Sequence, residues 1–239
     1  MAETREWSVK RFWKNARARA EDGGGWGIAL DDRPLRTPGK QPLIVPGRAL
    51  AEAIAQEWDD QRDEIRPTEM PLTRAANSAI EKVTPQRDGV AAMLAEYGGT
   101  DLLSYRGEGE LAELQKAEWD PLLDWAEQDL GARLAVTQGI VPVAQDAGAM
   151  GRLRAELDDK DPWQLTGLHD LVTLPGSLIL GLAVDKGRIS GAEAHRLSRL
   201  DEEWQAARWG RDAEADAAAE NRLRDILASE RFLALLREG

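Results

Sequence analysis

The chain has no cysteine and, in 239 residues, only two histidines, two tyrosines and two phenylalanines. Each shortage closes a route to function. Without thiols there is no disulfide framework and no thiolate metal site, so a reducing compartment is permitted without being required. His169 and His195 lie far apart and neither sits in a His-x-x-x-His pattern, which argues against a metal centre. The longest uncharged apolar stretch, 171–184, is about 14 residues and contains Pro175 and Gly176, short of the roughly 20 that span a bilayer. It reads as a buried core helix. Gly23, Gly24, Gly25 and Gly27 lack the Gly-Lys-Ser/Thr of a phosphate loop and the spacing of a dinucleotide fingerprint, so a turn is the expected reading. No Gly-x-Ser-x-Gly elbow occurs, and Pro175-Gly176-Ser177 reads as helix capping. The adjacent acids Asp31-Asp32, Asp59-Asp60 and Asp158-Asp159 diverge too far to form an acid/base pair unaided. These absences predict a protein that acts by binding, with no catalytic residue, cofactor or metal.

What is abundant is acid. Forty-three acidic residues against 31 basic ones give a net charge of −12, which disfavours nonspecific nucleic-acid or anionic-membrane binding and suits a basic or apolar partner. Nine tryptophans carry most of the aromatic packing. The N-terminal segment lacks the apolar core of a secretory signal, and the acids Glu3, Glu6, Glu21 and Asp22 oppose an organellar presequence.

Strand signals concentrate in the first third: Trp26 to Leu30, Pro34 to Thr37 and Leu43 to Val45, separated by Gly-rich, Asp-Asp and Pro-Gly turns. Asp31-Asp32 is expected to set its hairpin by side-chain-to-backbone bonding. Leu50, Ile54 and Trp58 at spacing four then predict an amphipathic helix over 47–62 that covers the sheet. Beyond the Pro67 to Pro71 segment the periodicity turns helical: 73–83, 85–97 with Thr84 as cap, 111–130, 146–157, 161–173, 177–186, 190–209 and 212–236, interrupted by an extended piece at 134–143. The expected class is α+β, with an α/β N-terminal domain over 1–72 and a larger helical bundle over 73–239.

The segment 197–212, LSRLDEEWQAARWGRD, stands out. A single wheel through it puts Leu197, Leu200, Trp204 and Ala207 on one face, Asp201 and Arg208 at its edge, Glu202 and Glu203 toward water, and Trp209 almost opposite, just before Gly210. Trp204 is therefore expected to be buried. Trp209 is expected to turn back onto the last helix, because an exposed indole at a helix end invites aggregation.

Several blocks taken in order carry a resemblance: Arg11-Phe12-Trp13-Lys14, the run from Leu30 to Pro38, Met70-Pro71-Leu72-Thr73-Arg74 with Asn77, Gly99-Thr100-Asp101-Leu102-Leu103, Trp119-Asp120-Pro121-Leu122-Leu123, Gly176-Ser177-Leu178 and the 197–212 segment. Together they resemble the family of assembly chaperones specific for the α subunit of F-type ATP synthase, over nearly the whole chain. The resemblance implies no catalysis and transient shielding of the free α subunit's interface until the β subunit replaces the chaperone. It implies a functionally sensitive acid at Asp201, where the family usually has glutamate, and partner-binding positions at Asp201, Glu202, Gln205, Trp209 and Asp212. A monomer without stable membrane association is expected. Eukaryotic relatives act in mitochondria; this chain, which begins close to its first domain, is expected to be the bacterial form working in the cytoplasm. The reading left beside it is an enzyme of unknown type that uses carboxylates such as Asp201 and Glu203 in an interdomain cleft.

Overall fold

The structure, a computed structural model, describes residues 10–139 and 141–238. The acids Glu3 and Glu6 lie outside the described residues. Two compact units divide at Pro85 and Gln86, the first also taking in the chain's end from Ala234. The periodicity change at 72–73 therefore precedes the structural division, and the first helical stretch after it sits in the unit that holds the sheet.

In the first unit, β1 (Ala16–Ala20), β2 (Trp26–Leu30), β3 (Arg33–Pro34) and β4 (Ile44–Val45) form an antiparallel sheet, with β2 pairing all three others. β1 is a strand that the sequence reading did not anticipate: its alternating alanines and arginines carry no bulky apolar residue to mark it. Gly24 and Gly25 take positive φ in the turn before β2, confirming that the glycine run is a turn. Asp31 also has positive φ, yet its carboxylate accepts the amide N–H groups of Lys14 (3.1 Å) and Asn15 (3.0 Å) across the sheet instead of bonding its own hairpin. Those bonds, Asn15's above all, hold the Asp31 carboxyl below its ordinary range.

Helix α1 (Arg48–Asp59) lies on this sheet and buries Leu50, Ala51, Ile54 and Ala55, as the spacing predicts. Arg11 explains the first resemblance block: its guanidinium donates to the carbonyls of Trp13 (3.1 Å), Lys14 (2.8 Å), Asp59 (2.6 Å) and Gln61, tying the chain entering β1 to the end of α1. Glu57 does the same for α2 (Pro71–Ser78), accepting both the Leu72 (2.7 Å) and Thr73 (2.8 Å) amides and the Thr73 hydroxyl (2.7 Å) at the helix start. A helix N-terminus whose own preceding residue is Met70 is thus capped from α1. After α2 the chain makes a π turn over 79–83 and a 3₁₀ turn over 84–86. Thr84 is not the helix cap expected from the sequence, because its hydroxyl donates to the Ala79 carbonyl (2.7 Å) and α3 (Arg87–Glu96) starts later.

The second unit is mostly helical: α4 (Glu110–Leu130), α5 (Ala147–Asp158), α6 (Pro162–Thr173), α7 (Leu178–Asp185), α8 (Gly191–Ser198), α9 (Leu200–Trp209) and α10 (Ala213–Arg237), the last as far as Leu233, follow α3. The extended piece supplies β6 (Thr137–Gln138), which pairs in parallel with β5 (Tyr105–Arg106). The 171–184 stretch is buried but is not one helix; Pro175 and positive-φ Gly176 separate α6 from α7. Leu178 to Val184 are all buried, so α7 is the centre of this unit. A Cβ on Gly167 of α6 would sit 2.6 Å from Leu233, a contact that only glycine permits there.

Two resemblance blocks meet at the start of α7. Asp101, with none of its surface exposed, accepts the Ser177 hydroxyl (2.7 Å) and the Leu103 amide (3.0 Å) on one oxygen and the Ile179 amide (3.0 Å) on the other. Ser177 in turn caps Leu180 (3.0 Å). Burial pushes the Asp101 carboxyl up to about 6 from 3.8, against the pull of these donors. The folded chain therefore holds this proton longer than the unfolded chain does. Its contribution to stability is fully present below pH 3.8 and is lost as pH rises through about 6. Asp101→Asn removes that pH dependence and one acceptor oxygen, so the wild type's urea midpoint should exceed the variant's by most near pH 4, and the gap should narrow or reverse toward pH 7; parallel pH profiles would contradict this assignment.

Candidate functional site

The prominent 197–212 segment is not one continuous helix. Arg199, with φ −110° and ψ 15°, leaves helical geometry between α8 and α9, and the Ser198 hydroxyl donates to the His195 carbonyl (2.9 Å) at the break. The turn lets Arg199, mostly buried, reach Glu202 (2.8 Å) and Glu203 (2.8 Å) together. The expected apolar stripe therefore ends early. Leu197 and Leu200 are buried, Trp204 is only half-buried and Ala207 is exposed. The Arg208 guanidinium lies 3.6 Å from the centre of the Trp204 ring and covers it in place of an apolar neighbour.

Trp209 corrects the sequence reading most sharply. It is 77% exposed and does not fold back as an anchor. Gly210 ends α9 with φ 95° and ψ 159°, an extended exit available to glycine. Asp212 begins α10 by accepting the Glu214 amide (2.9 Å), which gives this carboxylate a capping task.

Asp201 faces α4, where its carboxylate accepts the side-chain amide of Gln115, a fully buried residue that also accepts the Gly107 amide (2.7 Å). Glu202 does not simply face water: it takes Arg222 of α10 (2.8 Å) as well as Arg199. Burial raises the Glu202 carboxyl, and the two arginines more than offset it, leaving it below its ordinary range. Glu203 pairs with Arg199 and with Arg211 (2.7 Å), and Arg211 with Asp216 (2.9 Å). Arg208 reaches Glu110 at the start of α4 (2.9 Å). Beneath this network Trp119 donates its indole N–H to the Leu197 carbonyl (3.0 Å), while Arg106 covers its ring and pairs with Asp120 (2.9 Å).

Of the five sequence-picked positions, Asp201, Glu202 and Asp212 are thus tied into the unit by specific bonds, whereas Gln205 and Trp209 are exposed. Gln115, Arg199 and Arg222 were missed. Gln115 did carry a signal, as an uncharged polar residue at a core-facing position of α4, four residues before buried Trp119. His195 is buried, and burial followed by Arg199 pushes its pKa down. Among the described residues no group of three or more histidines or acids is placed to hold a metal ion, and no helix is long and apolar enough to cross a membrane.

Comparison with known proteins agrees with this architecture. The family model described as ATP12 chaperone protein matches residues 10–127. The mitochondrial protein atp12 of the fission yeast Schizosaccharomyces pombe is 30% identical over 241 residues, covering 95% of this chain and 82% of the yeast protein. The crystal structure of Atp12 from Paracoccus denitrificans superposes with a TM-score of 0.93 at 58% identity, over 97% of this chain and 100% of that one. That of a putative chaperone from Agrobacterium tumefaciens gives a TM-score of 0.93 at 38% identity, over 96% and 87%. The fold and these relatives define a chaperone of α+β class, a small antiparallel sheet followed by a mostly helical region. The chain belongs to the ATP12 chaperone family.

The geometry separates two kinds of site residue. Asp201→Ala leaves one N–H of buried Gln115 without its acceptor and should cost about 1 to 3 kcal/mol, while Asp201→Asn, which keeps an acceptor oxygen, should cost less; denaturant titrations of both variants measure the difference. Trp209→Ala should change stability by no more than about 0.5 kcal/mol, and in the free protein Trp209 should emit as a solvent-exposed indole open to acrylamide. A blue-shifted, protected Trp209 would contradict its placement.

Proposed function

We propose that this chain is an assembly chaperone for the head of the F-type ATP synthase, that its client is the free α subunit, and that it shields a surface of that subunit until the β subunit takes its place. An unassembled subunit of a ring exposes interface-sized apolar area and associates wrongly if nothing covers it. The observation that carries the reading is Trp209, a large indole 77% exposed at the end of a helix whose acids match the family's sensitive region. Tryptophan is costly to leave in water and is a frequent anchor of protein interfaces. Its exposure in the free chain is what a client-facing anchor requires.

In this reading α9 offers Trp209 and Gln205 as direct contacts. Asp201 and Glu202 hold the helix in place and contribute charge, and Asp212 sets the direction in which α10 leaves. The chaperone works as a monomer in the bacterial cytoplasm, without catalysis and without a bound cofactor. An acidic chain favours a client surface with basic residues around the apolar patch.

Pull-down from cell extract tests this directly. The tagged chain should retain the α subunit of the synthase and not the β subunit, and Trp209→Ala should weaken capture at least about tenfold, the effect of losing an interface anchor worth more than 1 kcal/mol. Retention of β in preference to α, or unaltered capture by the variant, would refute the client or its contact respectively.

A further inference from the structure

Helix α9 is fastened differently from every helix around it. Leu200 is its only buried residue, whereas α7 is buried along seven consecutive positions and α8 buries Gly191, Ala194, His195 and Leu197. Both ends are also released from helical geometry, at Arg199 (φ −110°, ψ 15°) and at Gly210 (φ 95°, ψ 159°). What ties α9 to its neighbours is polar, Asp201 to Gln115 and Arg208 to Glu110 on α4 and Glu202 to Arg222 on α10, while Arg199 to Glu202 and Glu203, and Arg211 to Glu203, are pairs with the residues flanking its own ends. A helix fixed for good by the core presents a continuous apolar stripe. α9 has instead a set of half-exposed ion pairs, each weak in water and screened by salt.

We infer that α9 is a strap, closed by these ion pairs and opening about Arg199 and Gly210, and that a cationic segment of the client opens it by replacing the chain's own arginines on Glu202 and Glu203. The second part rests on the functional reading above; the first stands on the free chain alone. The exchange conserves charge pairing, since Arg199, Arg211 and Arg222 give up carboxylates that the client's arginines or lysines take over. Of the freed arginines, Arg199 and Arg211 flank the ends of α9 and Arg222 lies within α10; Arg211 and Arg222 are already partly exposed to water. Opening also withdraws Asp201 from Gln115, so the strap reports on the family's sensitive acid without requiring it to touch the client.

Hydrogen exchange read by mass spectrometry on the full chain tests the strap. Between about 0.1 M and about 1 M NaCl, where the screening length falls from roughly 10 Å to roughly 3 Å, amides 204–209 should exchange at least about tenfold faster while those of α7 and α8 hold their rates. Glu202→Gln and Arg222→Gln should each accelerate exchange at low salt, and the double variant should add little to Glu202→Gln alone, which already breaks the Arg222 pair together with that of Arg199. Exchange in α9 that ignores salt, or variants that speed all helices alike, would overturn the strap. With purified α subunit added, faster exchange at 204–205 beside protection at Trp209 supports the client-driven opening. If α is captured while α9 stays closed, the opening fails and the chaperone reading survives. If α9 opens in salt but α is never captured, the strap stands and the functional reading falls.

Discussion

The helical unit depends on one buried carboxylate. Asp101 has none of its surface open to solvent, and it is tolerable there because Ser177 and an early amide of α7, that of Ile179, converge on it. That amide would otherwise be unsatisfied at the start of a helix buried on all sides. Each party offsets part of the other's cost. The consequence is a fixed point: α7 cannot slide or turn without stranding either a charge or several backbone donors, and α4, α6 and α8 all pack against α7.

The sheet unit uses the same device at lower cost. Asp31, Arg11 and Glu57 each reach from one element to the loose backbone groups of another, joining β1 to the β2–β3 turn, the entry of β1 to the end of α1, and α1 to the start of α2. Side chains that bond to distant backbone carry much of the tertiary specification here, and apolar contacts supply the bulk. This explains why blocks such as Arg11-Phe12-Trp13-Lys14 and Met70-Pro71-Leu72-Thr73 are recognisable as patterns. They encode joints.

That division also marks what the linear sequence discloses. The covering helix over Leu50 and Ile54, the capped starts of α5, α6 and α7, and the antiparallel sheet were legible because apolar period, caps and turns are local signals. Strand β1 was not, since its partner, and not its composition, makes it a strand. The break at Arg199 was hidden because Leu197 and Leu200 keep helical spacing across it. From that error followed the wrong burial of Trp204, whereas the inward turn assigned to Trp209 came from the aggregation argument. Arguing that an exposed indole is a liability holds for a protein whose surface has no work to do; a protein that binds partners can retain such an indole for contact, which is the role proposed above for Trp209.

Strand β1 has a consequence of its own. Among the described residues it pairs only with β2, leaving its far side as the rim of the sheet, and it sets Arg17 and Arg19, both exposed, on that rim. Charged rims discourage a foreign strand from continuing a sheet. A protein whose task brings it repeatedly against chains that have not yet found their partners meets more unpaired backbone than most. Its own sheet must refuse to serve as a template, and five residues of alternating alanine and arginine, unremarkable as a strand, make it a poor seed for the aggregation its clients risk.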